Sequence, residues 1–398
     1  MTFVPEENKR MVSVFLIFLR LGLTSFGGPI AHLGYFRAEF VTRRRWLSES
    51  SYADLVAFCM FLPGPASSQL GIALGLLRAG YGGALAAWAG FTLPSVIAMI
   101  LFAQAMSHDA LAVPAGILNG LTIVAVAVVA QAVWGMARSF CTDARHITMM
   151  LVCAGFVLLA PSAWGQLGVV CLAGLAGWLL FKPKQMVQHE PLTIYVNEKS
   201  GVVWLSVFFG LLVGLPVLTF LLPNHMLSTV DAFYRVGSLV FGGGHVVLPL
   251  LQAEVVPTGW VSPEAFLSGY SAAQAVPGPL FTFAAFLGAS TQTGGSAWVS
   301  GMVCVLAIFA SSFLLVFGAM PFWEQLRRSP KTQATLTGIN IAVVGMLLAA
   351  LYNPVWTNAI YQPKDFCLAL VALLALTYGK LAPWLVVLGG AMAGWVFL

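Results

Sequence analysis

Charge is what this sequence has least of. Asp, Glu, Lys and Arg make up only 8% of its 398 residues, against roughly 25% in soluble domains. The six cysteines (Cys59, Cys141, Cys153, Cys171, Cys304, Cys367) show no C-x-x-C spacing. That argues against a disulfide framework or a structural zinc site and leaves them as small apolar fillers. No H-E-x-x-H, G-x-S-x-G or Walker loop occurs, so neither an enzyme nor ATP-driven transport by this chain is expected, and no cofactor or metal is implied. The net charge of +5 is not read as a nucleic-acid signature, because membrane topology accounts for the positions of the basic residues.

What is present is apolar. The chain is 59% hydrophobic with a mean hydropathy of +0.90, and runs near the ~20 residues needed to span hydrocarbon recur along it. This is the pattern of an all-α polytopic membrane protein. The first run, after Lys9 and Arg10, contains Arg20 and leads into Phe26-Gly27-Gly28-Pro29 without an A-x-A site, so it reads as a retained segment and not as a signal peptide.

The sequence repeats itself. At an offset of 215, Arg20, Gly22, Phe26, Gly27, Gly28 and Glu39 fall on Arg235, Gly237, Phe241, Gly242, Gly243 and Glu254. At an offset of 214, Trp46, Ser48, Pro63, Gly64 and Pro65 meet Trp260, Ser262, Pro277, Gly278 and Pro279. Ordered matches among Arg, Glu, Trp and Pro are improbable by chance in a Leu/Ala/Gly-rich chain, so a fused duplication is expected. The division read from it is a first repeat over 1–181, a polar linker plus an inverting helix over 182–222, and a second repeat over 223–398.

The basic residues orient the halves. Residues 37–45 carry Arg37, Arg43, Arg44 and Arg45, whereas the counterpart 251–260 carries none. Residues 107–110 carry none, whereas 321–332 holds Arg327, Arg328 and Lys331. By the positive-inside rule the bias changes sign between halves, the mark of an inverted-topology repeat. Long spans are expected at 84–106, 111–137, 202–222, 296–320 and 333–354. Shorter helical hairpins are expected at 147–160 with 163–181 and at 363–378 with 381–397, and the FGG and PGP segments read as re-entrant. This path leaves all of the Lys and Arg inside except Lys364, Arg20 and Arg235.

Within the apolar runs, "FLPGPASSQ" and "AVPGPLFTF" break helix at corresponding places. Broken backbone at membrane depth survives only where it is packed in protein or lines a cavity, and paired Gly/Pro breaks in two halves point to a transport site. Pro65 and Pro279, with Pro63 and Pro277 before them, are expected to start half-helices, whose N-termini present free N–H groups and partial positive charge to an anion. The expected binding set is Gly27, Gly28, Gly64, Ser67, Ser68 and Gln69 from the first half, and Gly243, Gly244, His245, Gly278 and Thr282 from the second. Arg20 and Arg235 join it as cations at membrane depth flanking one site, although Asp231 also offers Arg235 an i,i+4 partner. Glu39 and Glu254 are candidates for proton coupling, with Arg43 an alternative partner for Glu39, and His32 is a weaker candidate to bind anion or proton.

These motifs resemble the chromate ion transporter family in its long, two-domain form. The likeness is carried by Phe26-Gly27-Gly28-Pro29, Trp46-Leu47, Leu62-Pro63-Gly64-Pro65 through Gln69, "GGALAAWAGFTLPS", "FGGGHVVLPLL" and "GYSAAQAVPGPLFTFAAFLG", and it covers nearly the whole chain. Some members carry an acidic residue directly after LPGP, whereas Ala66, Ser67 and Ser68 follow here. The resemblance implies a secondary transporter in the inner (plasma) membrane that exports chromate, confers chromate resistance and is driven by the proton gradient and membrane potential. Its partners would be chromate, protons and the lipid bilayer, with sulfate as a competitor, no nucleic acid, and a homodimer left open. Another oxyanion, or a channel mechanism, is the alternative reading.

Overall fold

A computed structural model describes residues 6–26, 28–107, 114–159, 163–181, 197–241, 246–291 and 296–397, and they contain no strand. The first half runs α1 (Glu6–Thr24), α2 (Gly28–Arg37) continuing as a π-helical turn (Ala38–Arg43), α3 (Glu49–Phe61), α4 (Ala66–Ser107), α5 (Ala115–Phe140), α6 (Ala144–Leu159) and α7 (Ala163–Leu180). After α8 (Glu198–Leu221), the second half repeats the series. It comprises α9 (His225–Leu239), α10 (Val247–Val255), α11 (Pro263–Ala275), α12 (Phe283–Ser290), α13 (Ala297–Ala319), the short α14 (Trp323–Arg328), α15 (Pro330–Ala350), α16 (Pro363–Thr377) and α17 (Pro383–Phe397). Among the described residues, five stretches are long and apolar enough to cross a membrane, namely Ala66–Ser107, Gly116–Phe140, Glu198–Leu221, Ala297–Leu326 and Pro330–Trp356. Apolar side chains of α8 such as Phe209, Val213 and Phe220 stay exposed, as a lipid-facing helix requires.

Matching sequence signals start matching helices. Ser48 caps α3 by accepting from the Ser51 N–H, and Ser262 caps α11 by accepting from the Ala265 N–H, so each satisfies one of the amides a helix start leaves free. Long α4 is two arms, because Ala79 and Gly80 leave helical geometry (φ −147° and +62°). The arms fold back on each other: Gly75 lies directly against Gly83, with no room for a Cβ on either. In the second half α12 packs on α13 in the same way through Gly288 against Ser300 and Gly301 against Ala285.

The expected re-entry is present. The Phe18 ring meets both Phe36 and Phe40, so the chain turns back at the FGG break. Arg78, at the end of the first arm of α4, lies over the Trp46 ring at 5.1 Å. The LPGP segment therefore returns to the end of the molecule it left.

The second arm of α4 and α13 are equivalent helices, and they cross antiparallel. Tyr81 meets Phe317, Trp88 meets Phe309 and Phe313, and Gly301 sits on Ile100. Equivalent helices running in opposite directions make the repeat an inverted one. The halves also exchange their last helices. Gly120 of α5 rests on Gly390 and Gly394 of α17, and Gly338 of α15 rests on Ala173 and Gly177 of α7. Small residues at these crossings let backbones approach where lipid offers no hydrophobic driving force between helices.

Candidate functional site

Each LPGP-type break crosses the segment that precedes the other half's FGG break and is locked to it. The Gly64 N–H donates to the Val240 carbonyl at 2.6 Å, and the Gly278 N–H donates to the Ser25 carbonyl at 3.0 Å. Ser25 and Val240 stand at equivalent positions, each just before its own half's FGG break. Both glycines have positive φ, +121° and +107°, a conformation that disfavours any side chain. A Cβ on Gly64 would press on the Gln69 amide and stand 3.0 Å from Ser312 Oγ, and one on Gly278 would stand 2.7 Å from Ser95 Oγ. Each break thus lies against a serine of the opposite half.

This geometry corrects three expectations. The amides of Gly64 and Gly278 are not free to meet an anion, because the opposite half's carbonyls accept them. Pro65 and Pro279 do not occupy the first helical turn: Pro65 immediately precedes α4, and Pro279 is the N-cap of a 3₁₀ turn, Leu280–Thr282, that leads into α12. Both prolines still block backward extension of the helices, as do Pro63 and Pro277 before them. The Thr282 hydroxyl donates back to the Pro279 carbonyl at 2.8 Å and so offers no free hydrogen. Gly28 begins α2. Gly27, Gly243, Gly244 and His245 lie outside the described residues.

What remains available at the crossing comes mostly from the first half. Ser67, Ser68 and Gln69 occupy the first turn of α4 and are buried. The Gln69 N–H makes the first intrahelical bond, to the Pro65 carbonyl at 2.9 Å, so the Ser67 and Ser68 amides before it have no acceptor within their own helix. Gln69 Nε2 donates to the Pro63 carbonyl at 2.6 Å, which holds the break closed. The Ser68 hydroxyl has no partner among the described residues, and neither do those of Ser25, Thr92 and Ser312, all buried. An unmade hydrogen bond at a buried hydroxyl costs about 1–3 kcal/mol, a cost that water or another polar group reaching these hydroxyls would remove. At the positions equivalent to Ser67 and Gln69 the second half has Phe281 and Phe283, both fully buried. The symmetric backbone therefore carries an asymmetric polar lining.

The arginine and glutamate pairs matched in the repeat form two separate networks, one per half. Glu39 accepts from Arg20 at 3.3 Å, Arg43 at 3.1 Å and Arg44 at 2.6 Å. Arg235 bonds Glu254 at 2.6 Å and Asp231 at 2.7 Å. The local pairings open in the sequence, Glu39 with Arg43 and Arg235 with Asp231, are both formed, and each arginine also reaches the glutamate 19 residues later in its repeat. Arg20 and Arg235 therefore do not flank one site as unpaired cations, and they line different cavities. Arg20 opens onto a cleft of about 410 Å³ lined with Val12, Leu16, Glu39 and Arg44. Arg235 lines a remnant of about 10 Å³ with Gln166, Leu239, Leu250 and Glu254. The Arg20 side chain is 56% exposed, against 15% for Arg235. Equivalent positions are thus open at one end and closed at the other. Three guanidinium groups surround one carboxylate at the open end, and two carboxylates share one guanidinium at the closed end.

Two buried groups have no match of their own kind in the other repeat. His32 sits at the crossing, with Nε2 at 3.2 Å from the Ser25 carbonyl and Nδ1 at 3.4 Å from Ser67 Oγ. Asp54, without an acidic counterpart in the second half, accepts from Trp323 Nε1 at 3.2 Å across the halves.

Comparison with known proteins agrees with the duplication. A sequence model described as "Chromate transporter" matches residues 12–178 and again residues 227–395. A "Probable chromate transport protein" of Synechococcus elongatus is 25% identical over 386 residues, 96% of this chain and 94% of its own. A "Chromate transport protein" of Cupriavidus metallidurans is 22% identical over 398 residues, 98% of this chain and 94% of its own. An uncharacterized transporter of Bacillus subtilis is 28% identical over 167 residues, 41% of this chain but 92% of its own length, the extent of a single repeat. No solved structure matches the chain.

Proposed function

The chain belongs to the chromate transporter family of membrane transporters, and from that premise we propose that it is a secondary transporter exporting chromate across the plasma membrane, so conferring chromate resistance. The observation that carries this reading is the crossing of the two breaks, where buried serine hydroxyls without partners surround the start of α4. Chromate is a tetrahedral dianion. Hydroxyls of Ser67, Ser68 and Ser312 together with first-turn amides suit its oxygens without a permanently bound counter-charge.

The charged networks then act as gates on either side of that site. The anion enters the cleft at Arg20, where Arg43 and Arg44 leave excess positive charge around Glu39. It competes with the carboxylate for the guanidinium groups and passes to the crossing. Release runs past Arg235, whose two carboxylates reclaim it and discourage the anion from staying. Opening one gate while the other closes is the alternating access that an inverted repeat permits. The membrane potential, negative inside, favours expulsion by about 2.3 kcal/mol per charge for each 100 mV. The working division is a repeat over 1–181, a linker and inverting helix over 182–222, and a repeat over 223–398.

A donor set of hydroxyls and amides accepts other tetrahedral dianions, so sulfate is the second substrate to consider and the expected competitor. Proteoliposomes containing the purified protein test the reading. Saturable chromate flux, accelerated by a membrane potential and inhibited by sulfate, is expected; an absence of protein-dependent chromate movement would overturn it.

A further inference from the structure

The Ser25 carbonyl is a junction. It accepts the Gly278 N–H from the second half and also faces His32 Nε2 of its own half. A carbonyl can only accept, so Nε2 must carry the hydrogen of this contact. In neutral His32 that leaves Nδ1 as a lone pair, and the Ser67 hydroxyl donates to it. Ser67 is then tied up. Its hydrogen points at the imidazole and is withheld from anything bound at the start of α4.

We propose that His32 is the proton-binding group of the transport cycle and that Ser67 passes its protonation state to the anion site. This rests on the preceding reading that the anion binds at the start of α4. A proton transferred from hydronium breaks one O–H bond, leaves a water molecule and forms one N–H bond at Nδ1, and no other covalent bond changes. The imidazolium Nδ1–H donates to Ser67 Oγ, so the serine hydrogen turns away from the ring and becomes available to an anion oxygen. The same proton brings one positive charge to the crossing, which is lined with hydroxyls and amides. Anion and proton thus favour each other's binding at this site.

Among the described residues no other charge faces the ring; His245 lies outside them. On the elements around it, Arg20 of α1 and Arg43 pair with Glu39, and Arg37 of α2 pairs with Glu49 of α3. Tyr52 of α3 donates to the Leu33 carbonyl. On α4, Arg78 lies over Trp46, and Tyr81 packs on Trp204 and Phe317. Asp54 and Cys59 of α3 are buried, with Asp54 accepting from Trp323. The ring itself stands edge-on to Phe91, and the facing break of the second half, residues 275–279, holds no titratable group. Among the described residues the ring nitrogens therefore have one polar side chain as partner, Ser67 at the start of α4.

Chromate binding to purified protein, measured from pH 5.5 to pH 8.5, tests this with His32→Gln and Ser67→Ala. Glutamine keeps a donor and an acceptor but does not titrate. Chromate itself takes up a proton in this range, so the comparison with the variants carries the test. Wild-type affinity is expected to fall with rising pH by up to about tenfold per unit, the limit for one linked proton. His32→Gln should retain binding, with only the pH dependence that chromate's own protonation imposes. Ser67→Ala should bind more weakly and show the same flattening, which keeps the test open if His32→Gln fails to fold. A variant of either kind with the full wild-type pH dependence overturns the proposal while leaving the transport reading intact. Wild-type protein that binds no chromate at any pH removes the transport reading and this one with it.

Discussion

Arg20 and Arg235 occupy equivalent positions and bond equivalent glutamates, yet their surroundings make different demands. Arg235 is mostly buried and neutralises two carboxylates, Asp231 and Glu254. Its replacement strands both in a site closed to solvent, and breaking a buried pair this way costs about 3–5 kcal/mol. Glu39 keeps Arg43 and Arg44 when Arg20 is lost, and an exposed ion pair is worth no more than about 1 kcal/mol. Arg235→Gln should therefore lower both the thermal midpoint and the transport rate. Arg20→Gln should leave the midpoint almost unchanged and lower transport alone. Thermal unfolding in detergent beside chromate flux in liposomes separates the two. An Arg20→Gln protein with normal flux would remove the entry gate from the mechanism. The sequence showed both arginines and both glutamates as matched pairs, because charge is rare in this chain and each match stands out. It did not show that each arginine bonds the glutamate 19 residues on, since that contact depends on how far the chain turns back at the FGG break. His32 carries no such mark: its counterpart in the repeat is Val247, and symmetry does not single out a residue that acts alone.

Helices are held together here by what their crossings leave out. Gly338 of α15 approaches α7 so closely that an added Cβ would strike the Ala173 carbonyl and the Gly177 backbone, and Gly120 of α5 stands in the same relation to α17. Backbone cannot yield as a side-chain tip can, so overpacking at such a point costs on the order of 1–3 kcal/mol. Gly338→Val and Gly120→Val should each lower the thermal midpoint. Gly135→Ala in α5, where a Cβ meets nothing within 4 Å, should leave it unchanged or raise it slightly, since Gly weakens a helix interior by roughly 0.5–1 kcal/mol relative to Ala. Equal midpoints for all three proteins would mean that the exchanged helices do not hold the halves together. The elements themselves were largely legible. Apolar runs gave the spans, and the PGP and FGG motifs gave the breaks. The partners were not legible: glycine marks a close approach without naming the helix approached, and α5 finds α17, not a sequence neighbour. The locks from Gly64 to Val240 and from Gly278 to Ser25 are backbone bonds, to which side-chain identity contributes only by being absent at the two glycines.

At the scale of the whole molecule, one sequence motif used twice produces two unlike ends. The second arm of α4 and α13 run antiparallel, and Tyr81, Trp204 and Phe317 gather where one begins and the other ends. That end also holds Arg78 and the arginines of residues 37–45 through the contact of Arg78 with Trp46, so the positive-inside rule places it in the cytoplasm. Ser107, at the far end of α4, then lies outside. Gln325, in α14 just beyond α13, lies inside, although a parallel repeat would bring these two regions to the same face. The inversion can be read by labelling single cysteines, Ser107→Cys and Gln325→Cys, in a protein whose six native cysteines, all free, have been replaced by serine. Both substituted positions are exposed, and neither removes a basic residue that sets orientation. A membrane-impermeant maleimide added to intact cells should modify Ser107→Cys and spare Gln325→Cys until the membrane is opened. Labelling of both from the same side would contradict the antiparallel arrangement. Labelling of Gln325→Cys alone from outside would keep the inversion but reverse the molecule in the membrane. The arginine-rich cleft would then face outward, and the proposed direction of chromate movement would fall with it.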